Sequence, residues 1–369
     1  MIRSRLSLAI LSSGFFLLQG PEPRLSAQDS SARISVNVDL VQLNIAVTDR
    51  HGKYISGLKP ENFRITEDKI PEKIASFEEG NGTGPHYQLA GSAQPAPGGT
   101  ADATGAATDP TSSTGNRTSA PARPGIYNQD LPNPGANIFI LFDTSNYMYR
   151  GFVYAQDAIA QFVRSLDTSN KIAFYSYSRN LSRATLLTSD RYSVVNGVRS
   201  TVAGDDAALY NSLLLTVKDA SRLTGRKAIV VFSNGPDDAS SVPPEDVAEL
   251  AQSTGTIIYI VSTRQAESAP VSAAAFERVS RSTGGKAYFA RNWQEETQAF
   301  AAIRKDISHL YTITYYPQPN RNSGWRSISV KLVGPGMQKY RIRTRNGYRL
   351  REVQANTTAS IAPPARPGH

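Results

Sequence analysis

The chain has 369 residues, is 40% hydrophobic and 9% aromatic, carries a formal net charge of +9 and contains no cysteine. Disulfides, thiol catalysis, zinc–thiolate sites and a lipid-anchoring cysteine are excluded, and four scattered histidines (His51, His86, His309, His369) leave little material for a histidine metal site or a Ser/His nucleophile pair. The length accommodates two or three domains, and the positive balance predicts attraction to anionic surfaces or polymers.

Residues 1–27 read as a secretory signal peptide: Arg3 and Arg5 form the charged start, residues 6–18 the apolar core, and Leu25, Ser26 and Ala27 an imperfect cleavage site. No other apolar run approaches membrane-spanning length. The expectation is an exported protein, periplasmic or extracellular, with no transmembrane segment after signal removal. Residues 33–79 read as β structure. Ile34, Val36, Val38 and Leu40 alternate on one face, then Val41, Leu43, Ile45 and Val47 alternate with the parity switched, which predicts a bulge or break. Residues 49–52 signal a turn; Phe63 and Ile65 start another strand, residues 67–69 turn it, and residues 74–77 close the segment. Residues 80–134 change abruptly to Gly, Ala, Ser, Thr and Pro, too poor in apolar groups to offset the entropy of ordering, and read as a flexible linker.

Residues 135–310 alternate strands and helices. The first helix carries Phe152, Ala155, Ile159, Phe162 and Val163 at helical spacing, and a later one carries Leu209, Leu213, Val217 and Ala220. Residues 228–232 and 256–261 are continuous apolar runs, as in strands covered on both faces. Residues 181–187 predict an edge strand, Pro244 opens a helix at its first turn, and Phe300, Ile303, Ile307 and Leu310 mark the last helix. This pattern predicts an α/β fold, doubly wound around a mostly parallel, Rossmann-like sheet. Residues 311–350 return to β, with Tyr311, Ile313 and Tyr315, then Ile328, Val330 and Leu332, alternating. The two β segments are expected to form one β-sandwich into which the α/β domain is inserted. Residues 351–369 read as a disordered tail.

The centre of the chain is residues 137–147, an apolar run ending in Asp143, Thr144 and Ser145 before a helix. Ligands meet open α/β sheets just beyond such strand ends, and a carboxylate with two hydroxyls is oxygen chemistry suited to a hard cation. Tyr147, Tyr149, Phe152 and Tyr154 crowd the same mouth, where aromatics serve as interface anchors or, for Phe152, as core. Near the C-terminus, Lys339, Arg341, Arg343 and Arg345 share one strand parity. An anionic envelope polymer would gain there by counterion release, but a solvated face that discourages edge pairing is the preferred reading. Nucleic acid is not an expected partner of an exported chain.

The Phe142-Asp143-Thr144-Ser145 run, the helix opened by Ala208, Leu209 and Tyr210, and the strand ending Val231-Phe232-Ser233-Asn234-Gly235 resemble the von Willebrand factor type A fold. With the flanking segments, of which residues 47–77 and 311–348 carry the pattern, the chain resembles the VWFA-related proteins described from Acidobacteria. The resemblance implies a protein-binding or adhesion role. Fold members that bind Mg²⁺ use five oxygen-bearing positions on three loops and recruit an acidic group from the partner. Asp143 and Ser145 match that set; Tyr147 stands at the second serine, Ala207 at the threonine and Asn234 at the second aspartate. A degenerate metal site of Asp143, Ser145 and Asn234 is therefore expected, with weak or no Mg²⁺ binding and no other cofactor. Tyr147, Asp206 and Asp237 are the candidate binding residues, and Asp238 a further loop carboxylate. The leading expectation is an exported, non-catalytic protein-binding, adhesion or scaffold module. The alternatives are an envelope hydrolase using Asp143, Asp206 or Asp237 as acid and base, a metal-dependent adhesin with rearranged ligands, and a structural envelope component.

Overall fold

Alternation of Val41, Leu43, Ile45 and Val47 produces the first strand, β1 (Val41–Thr48), which points all four into one core. Strands β2 (Phe63–Glu67), β3 (Ile70–Glu72) and β4 (Ile74–Glu79) follow, and Asp68 and Lys69 turn the β2–β3 hairpin with positive φ although neither is glycine. The computed structural model describes residues 40–80, 87–88, 135–263 and 268–350. The expected signal peptide, the alternation at 34–38 and the expected tail lie outside these residues. So does the expected linker, except Gly80 and β5 (Tyr87–Gln88), a two-residue strand paired with β4 inside the stretch read as flexible.

The α/β region follows as β6 (Asn137–Asp143), α1 (Phe152–Ser165), β7 (Lys171–Tyr177), β8 (Leu181–Thr188), α2 (Arg191–Arg199), α3 (Leu209–Ser221), β9 (Lys227–Ser233), α4 (Pro244–Ser253), β10 (Thr256–Ser262), α5 (Pro270–Ser282), β11 (Ala287–Phe289) and α6 (Trp293–Ser308). Its sheet runs β11-β10-β9-β6-β7-β8, parallel except for the edge strand β8. Strand β6 is apolar on both sides because both are covered. Ile138, Ile140 and Phe142 pack beneath α1, α2 and α6, whereas Phe139 and Leu141 pack beneath α3, α4 and α5. Each such burial contributes about 1.5–3 kcal/mol. Helix α2 goes beyond the expected elements. Its signal is the cap, Asp190, whose carboxylate accepts the Tyr192 N–H at 2.9 Å.

The C-terminal strands β12 (Tyr311–Tyr315), β13 (Trp325–Leu332), β14 (Arg341–Arg343) and β15 (Gly347–Arg349) complete two antiparallel sheets, β14-β1-β12-β4-β5 and β15-β13-β2-β3. The two β segments therefore pair: β12 lies between β1 and β4, and β13 between β15 and β2. Leu43, Phe63, Phe77, Tyr311 and Ile328 fill the core the two sheets share. Glu67 is buried within this sandwich, where Arg326 approaches at 2.8 Å and the Tyr315 and Tyr348 hydroxyls donate at 2.8 and 3.1 Å. No helix among the described residues is long and apolar enough to cross a membrane.

The arginine face departs from the expectation of a solvated strand. Arg341 and Lys339 are exposed, but Arg343 turns inward to Asp306 of α6. Arg345 is buried, and its guanidinium donates to the carbonyls of Gln252 and Gln42. Only Arg341 and Arg343 lie in β14; Lys339 ends a 3₁₀ turn before it and Arg345 follows it, and the α/β region covers Arg343 and Arg345. An anionic polymer would meet two of the four cations there.

Candidate functional site

Strand β6 delivers Asp143 to the end of the parallel sheet fully buried. Its Oδ1 accepts the Ser145 N–H at 2.9 Å and its Oδ2 accepts the Ser233 hydroxyl at 2.7 Å. Burial pushes the Asp143 carboxyl above its usual range, and those hydrogen bonds oppose the shift. Thr144 is held to β7, its N–H and hydroxyl both donating to the Tyr177 carbonyl, at 2.8 and 2.9 Å. Ser145 and Asn234 are also buried. The Asn234 amide donates to the Tyr147 carbonyl at 2.5 Å, while the Asn234 Oδ1 meets no hydrogen-bonding group.

Three loops are laced together here. The Gly204 N–H donates to the Thr144 carbonyl at 2.7 Å and the Asn146 N–H to the Asp205 carbonyl at 2.8 Å. Gly204 permits this approach: a Cβ there would lie 2.4 Å from the Ser178 Oγ. From the third loop, the Asp238 carboxylate accepts the Ala207 N–H at 2.9 Å and the Tyr147 hydroxyl at 3.0 Å, which hold it below the usual carboxylate range. Asp237 accepts the Tyr210 N–H at the start of α3 and the Ser240 N–H, both at 2.9 Å. Asp206 instead pairs with Arg179 at 2.9 Å on the surface.

The structure thus brings Asp143, Ser145, Asn234 and Tyr147 together, with Asp237 and Asp206 fastening the surrounding loops. Ala207 is buried and contributes only backbone to this network. The Tyr147 ring reaches outward, 41% exposed, with its hydroxyl on Asp238. Among the described residues, no group of three or more His, Asp or Glu is placed to hold a metal ion together.

Beside the loops lies a groove of about 400 Å³ lined by Tyr147, Tyr154, Asn234, Trp293 and Glu296. Tyr149, Tyr154 and Trp293 are 75%, 66% and 60% exposed, whereas Phe152 packs on Phe142 with ring centroids 5.4 Å apart. Trp293 and Glu296 join the site from the first turn of α6, where Asn292 caps the helix by accepting the Glu295 N–H at 3.0 Å. A signal for them exists in the sequence: Trp293 follows a capping asparagine and lies two helical turns before Phe300, on the stripe that Phe300, Ile303 and Ile307 continue.

Residues 137–302 match the family model of the von Willebrand factor type A domain. Similar solved structures include an aerotolerance-related membrane protein of Bacteroides fragilis (17% identity, 47% of this chain and 98% of that chain, TM-score 0.41). Another is the vWF domain of the type V pili tip protein Mfa5 of Porphyromonas gingivalis (11% identity, 47% and 95%, TM-score 0.41). A third is a von Willebrand factor type A protein of Catenulispora acidiphila (12% identity, 57% and 64%, TM-score 0.39). No curated protein matches the chain. Between its two sandwich-forming β segments, the chain therefore carries a von Willebrand factor type A domain.

Proposed function

We propose that this chain is an exported, non-catalytic module that binds a protein partner with the loops following Asp143, Ala203 and Asn234. One observation carries the reading: Tyr147, Tyr154 and Trp293 line one groove beside those loops while remaining 41–66% exposed. Large aromatic rings held in water at a rigid strand end are suited to anchoring a partner. The loop carboxylates support the non-catalytic side of the proposal. Asp143 is inaccessible, Asp237 caps a helix and Asp206 is ion-paired, so no two of them face a shared cleft as acid and base must.

The residues do not fit a complete divalent-cation site. The buried Asp143 carboxyl, the Ser145 hydroxyl and the unpartnered Asn234 Oδ1 are the surviving part of such a site. Against them, both Asp143 oxygens already accept hydrogen bonds, Ala207 has no side-chain oxygen, and the Tyr147 hydroxyl is drawn away to Asp238. A single engaged carboxylate is a poor match for a hard cation that takes six or so oxygens. The site is read as degenerate, and the proposed function needs no metal.

The test is a pull-down from an envelope extract with the tagged chain, with and without EDTA, alongside a Tyr147→Ala/Trp293→Ala variant. Capture that survives EDTA and is lost in the variant is expected. Capture lost with EDTA would favour a metal-dependent adhesin. Turnover of a cell-wall polysaccharide that disappears in Asp143→Asn would replace the proposal with an enzyme.

A further inference from the structure

The groove beside the loops has a polar character of its own. Glu296 lies in its wall, partly buried, and its carboxylate receives no hydrogen bond or ion pair from any described residue. Burial alone pushes that carboxyl up to about 7, as expected for a negative charge without compensation. Asn234 lines the same groove at 4% exposure, its amide already donating to the Tyr147 carbonyl and its Oδ1 unpartnered. Thr263 directs its hydroxyl to the Met148 sulfur at 3.8 Å. The unsatisfied polar groups of the groove are thus the Asn234 Oδ1, an acceptor, and a carboxyl that a neighbouring positive charge would ionise into a second. Among the described residues, none of those lining it is a lysine or arginine. The remaining walls are the rings of Tyr147, Tyr154 and Trp293, whose faces carry negative potential that attracts cations.

We infer that this groove takes a basic side chain, lysine or arginine, presented by a protein partner, with its charge against Glu296, a donor to the Asn234 Oδ1, and its stem along the three rings. The inference rests on the protein-binding reading and names the chemistry of what is bound. It also follows from charge complementarity: a guanidinium or ammonium supplies both the positive charge and the N–H groups that these acceptors lack. An acidic side chain would meet Glu296 with like charge. A neutral amide would satisfy Asn234 and leave Glu296 uncompensated.

The chain has two tryptophans, Trp293 and Trp325. The indole N–H resonance of Trp293 therefore reports on the groove in the ¹⁵N-labelled full chain, with Trp325 as an internal control. The probes are capped tripeptides Gly-X-Gly in which X is Arg, Lys, Gln or Glu. The Arg and Lys peptides are expected to shift the Trp293 resonance saturably while that of Trp325 stays in place. The Gln and Glu peptides should do neither. Glu296→Gln should weaken the Arg peptide about tenfold, the size of one charged hydrogen bond, with an unchanged Trp325 resonance reporting an intact fold. Equal response to the Gln or Glu peptide, an undiminished response in Glu296→Gln, or no shift of Trp293 at tens of millimolar peptide overturns the inference. The two readings separate cleanly. Tyr147-dependent capture from the extract without charge preference among the peptides leaves protein binding standing and removes this inference. Arg-peptide binding without any captured protein removes the protein-binding reading, and with it the protein partner, while the preference of the groove for a basic side chain stands.

Discussion

Arg343, near the C-terminal end of the described chain, places its guanidinium 2.6 Å from the Oδ1 of Asp306, at the end of the α/β domain's last helix. Asp306 is 1% exposed and also accepts the Tyr54 hydroxyl at 2.8 Å and the Tyr259 hydroxyl at 2.7 Å. One carboxylate therefore joins the N-terminal β segment, the parallel sheet, α6 and the C-terminal β segment. The seam continues through Arg345 to the Gln252 and Gln42 carbonyls, through Gln252 to Asn346 at 3.1 Å, and through Arg349 to Glu249 at 2.7 Å. The loops after Asp143 and Asn234 lie toward the opposite end of α6, so this seam fixes the helix whose first turn carries Trp293 and Glu296.

Removing one partner of a buried ion pair leaves the other charge desolvated and uncompensated. Asp306→Ala is accordingly expected to lower the free energy of unfolding by about 3–5 kcal/mol. An Asp306→Leu/Arg343→Leu double variant should lose less than the sum of its two single variants, because neither charge is then stranded. Urea titrations of the four proteins measure the coupling. Strict additivity would show that Arg343 and Asp306 do not act as a pair.

Residues 135–310 expressed alone lose β1, β12 and β14 together with Tyr54. Ala46 of β1 and Tyr54 pack into the same apolar cluster as Ile138, Ile307 and Leu310. Cutting there exposes that surface and leaves Asp306 without two of its partners. The excised domain should melt below the full chain and self-associate in sedimentation measurements. An unchanged Tm with a monomeric boundary would show that the flanking sandwich contributes nothing to the domain's stability.

Stability should also depend on pH near neutrality. Glu72 and Glu296 are both pushed up to about 7 from 4.5; burial is the main cause at each. At Glu72 the Gln318 N–H and the Arg326 charge oppose the shift, and the Glu67 charge adds to it. Each carboxyl thus holds its proton in the folded chain at pH values where the unfolded chain has released it. The resulting stabilisation is fully present below about pH 4.5 and is lost as pH rises through about 7. Asp68, Asp190 and Asp238 shift downward and act only in the acid range, whereas Lys227, pushed down to about 8, acts only from there upward. The Tm should therefore fall between about pH 5.5 and 7.5, and Glu72→Gln and Glu296→Gln should each flatten the slope. A Tm that rises over that interval contradicts both assignments.

The frame of the molecule was legible because its strands carry their covering in their composition. The unbroken apolar run of β6 requires helices on both faces; the alternation of Leu43, Ile45 and Val47 marks one apolar face, although Asn44 and Ala46 on the other are buried as well. The end of β6 exposed Asp143 as a candidate for the same reason. Parity failed at Arg343 and Arg345: it assigns residues to a common side of a strand but says nothing of what lies against that side. Asp306 was hidden because helical spacing reports apolar stripes, and a buried carboxylate among Ile303 and Ile307 looks like a solvated position. Glu296 and Trp293 share the helical face of Phe300, and spacing alone reads them as part of that stripe; they meet Tyr147 only through the tertiary placement of the α6 N-terminus.

The loops around Asp143 carry only part of a cation site. Its remaining oxygens, on Asp143, Ser145 and Asn234, lack the charge and the number to compete with the hydration of Mg²⁺. Millimolar Mg²⁺ should consequently leave the Tm of the natural chain unchanged. The loop frame that would position the missing ligands is nevertheless built, since the Ala207 N–H is fixed by Asp238 and backbone hydrogen bonds tie Gly204 to Thr144 and Asn146 to Asp205. Restoring the oxygens with Tyr147→Ser, Ala207→Thr and Asn234→Asp together should produce a saturable Mg²⁺-dependent rise in Tm, because an ion that binds only the folded state stabilises it by mass action. Asp143→Ala added to that triple variant should abolish the rise. A clear upshift in the natural chain, removed by Asp143→Ala alone, would show that three oxygens suffice and that the site had not decayed.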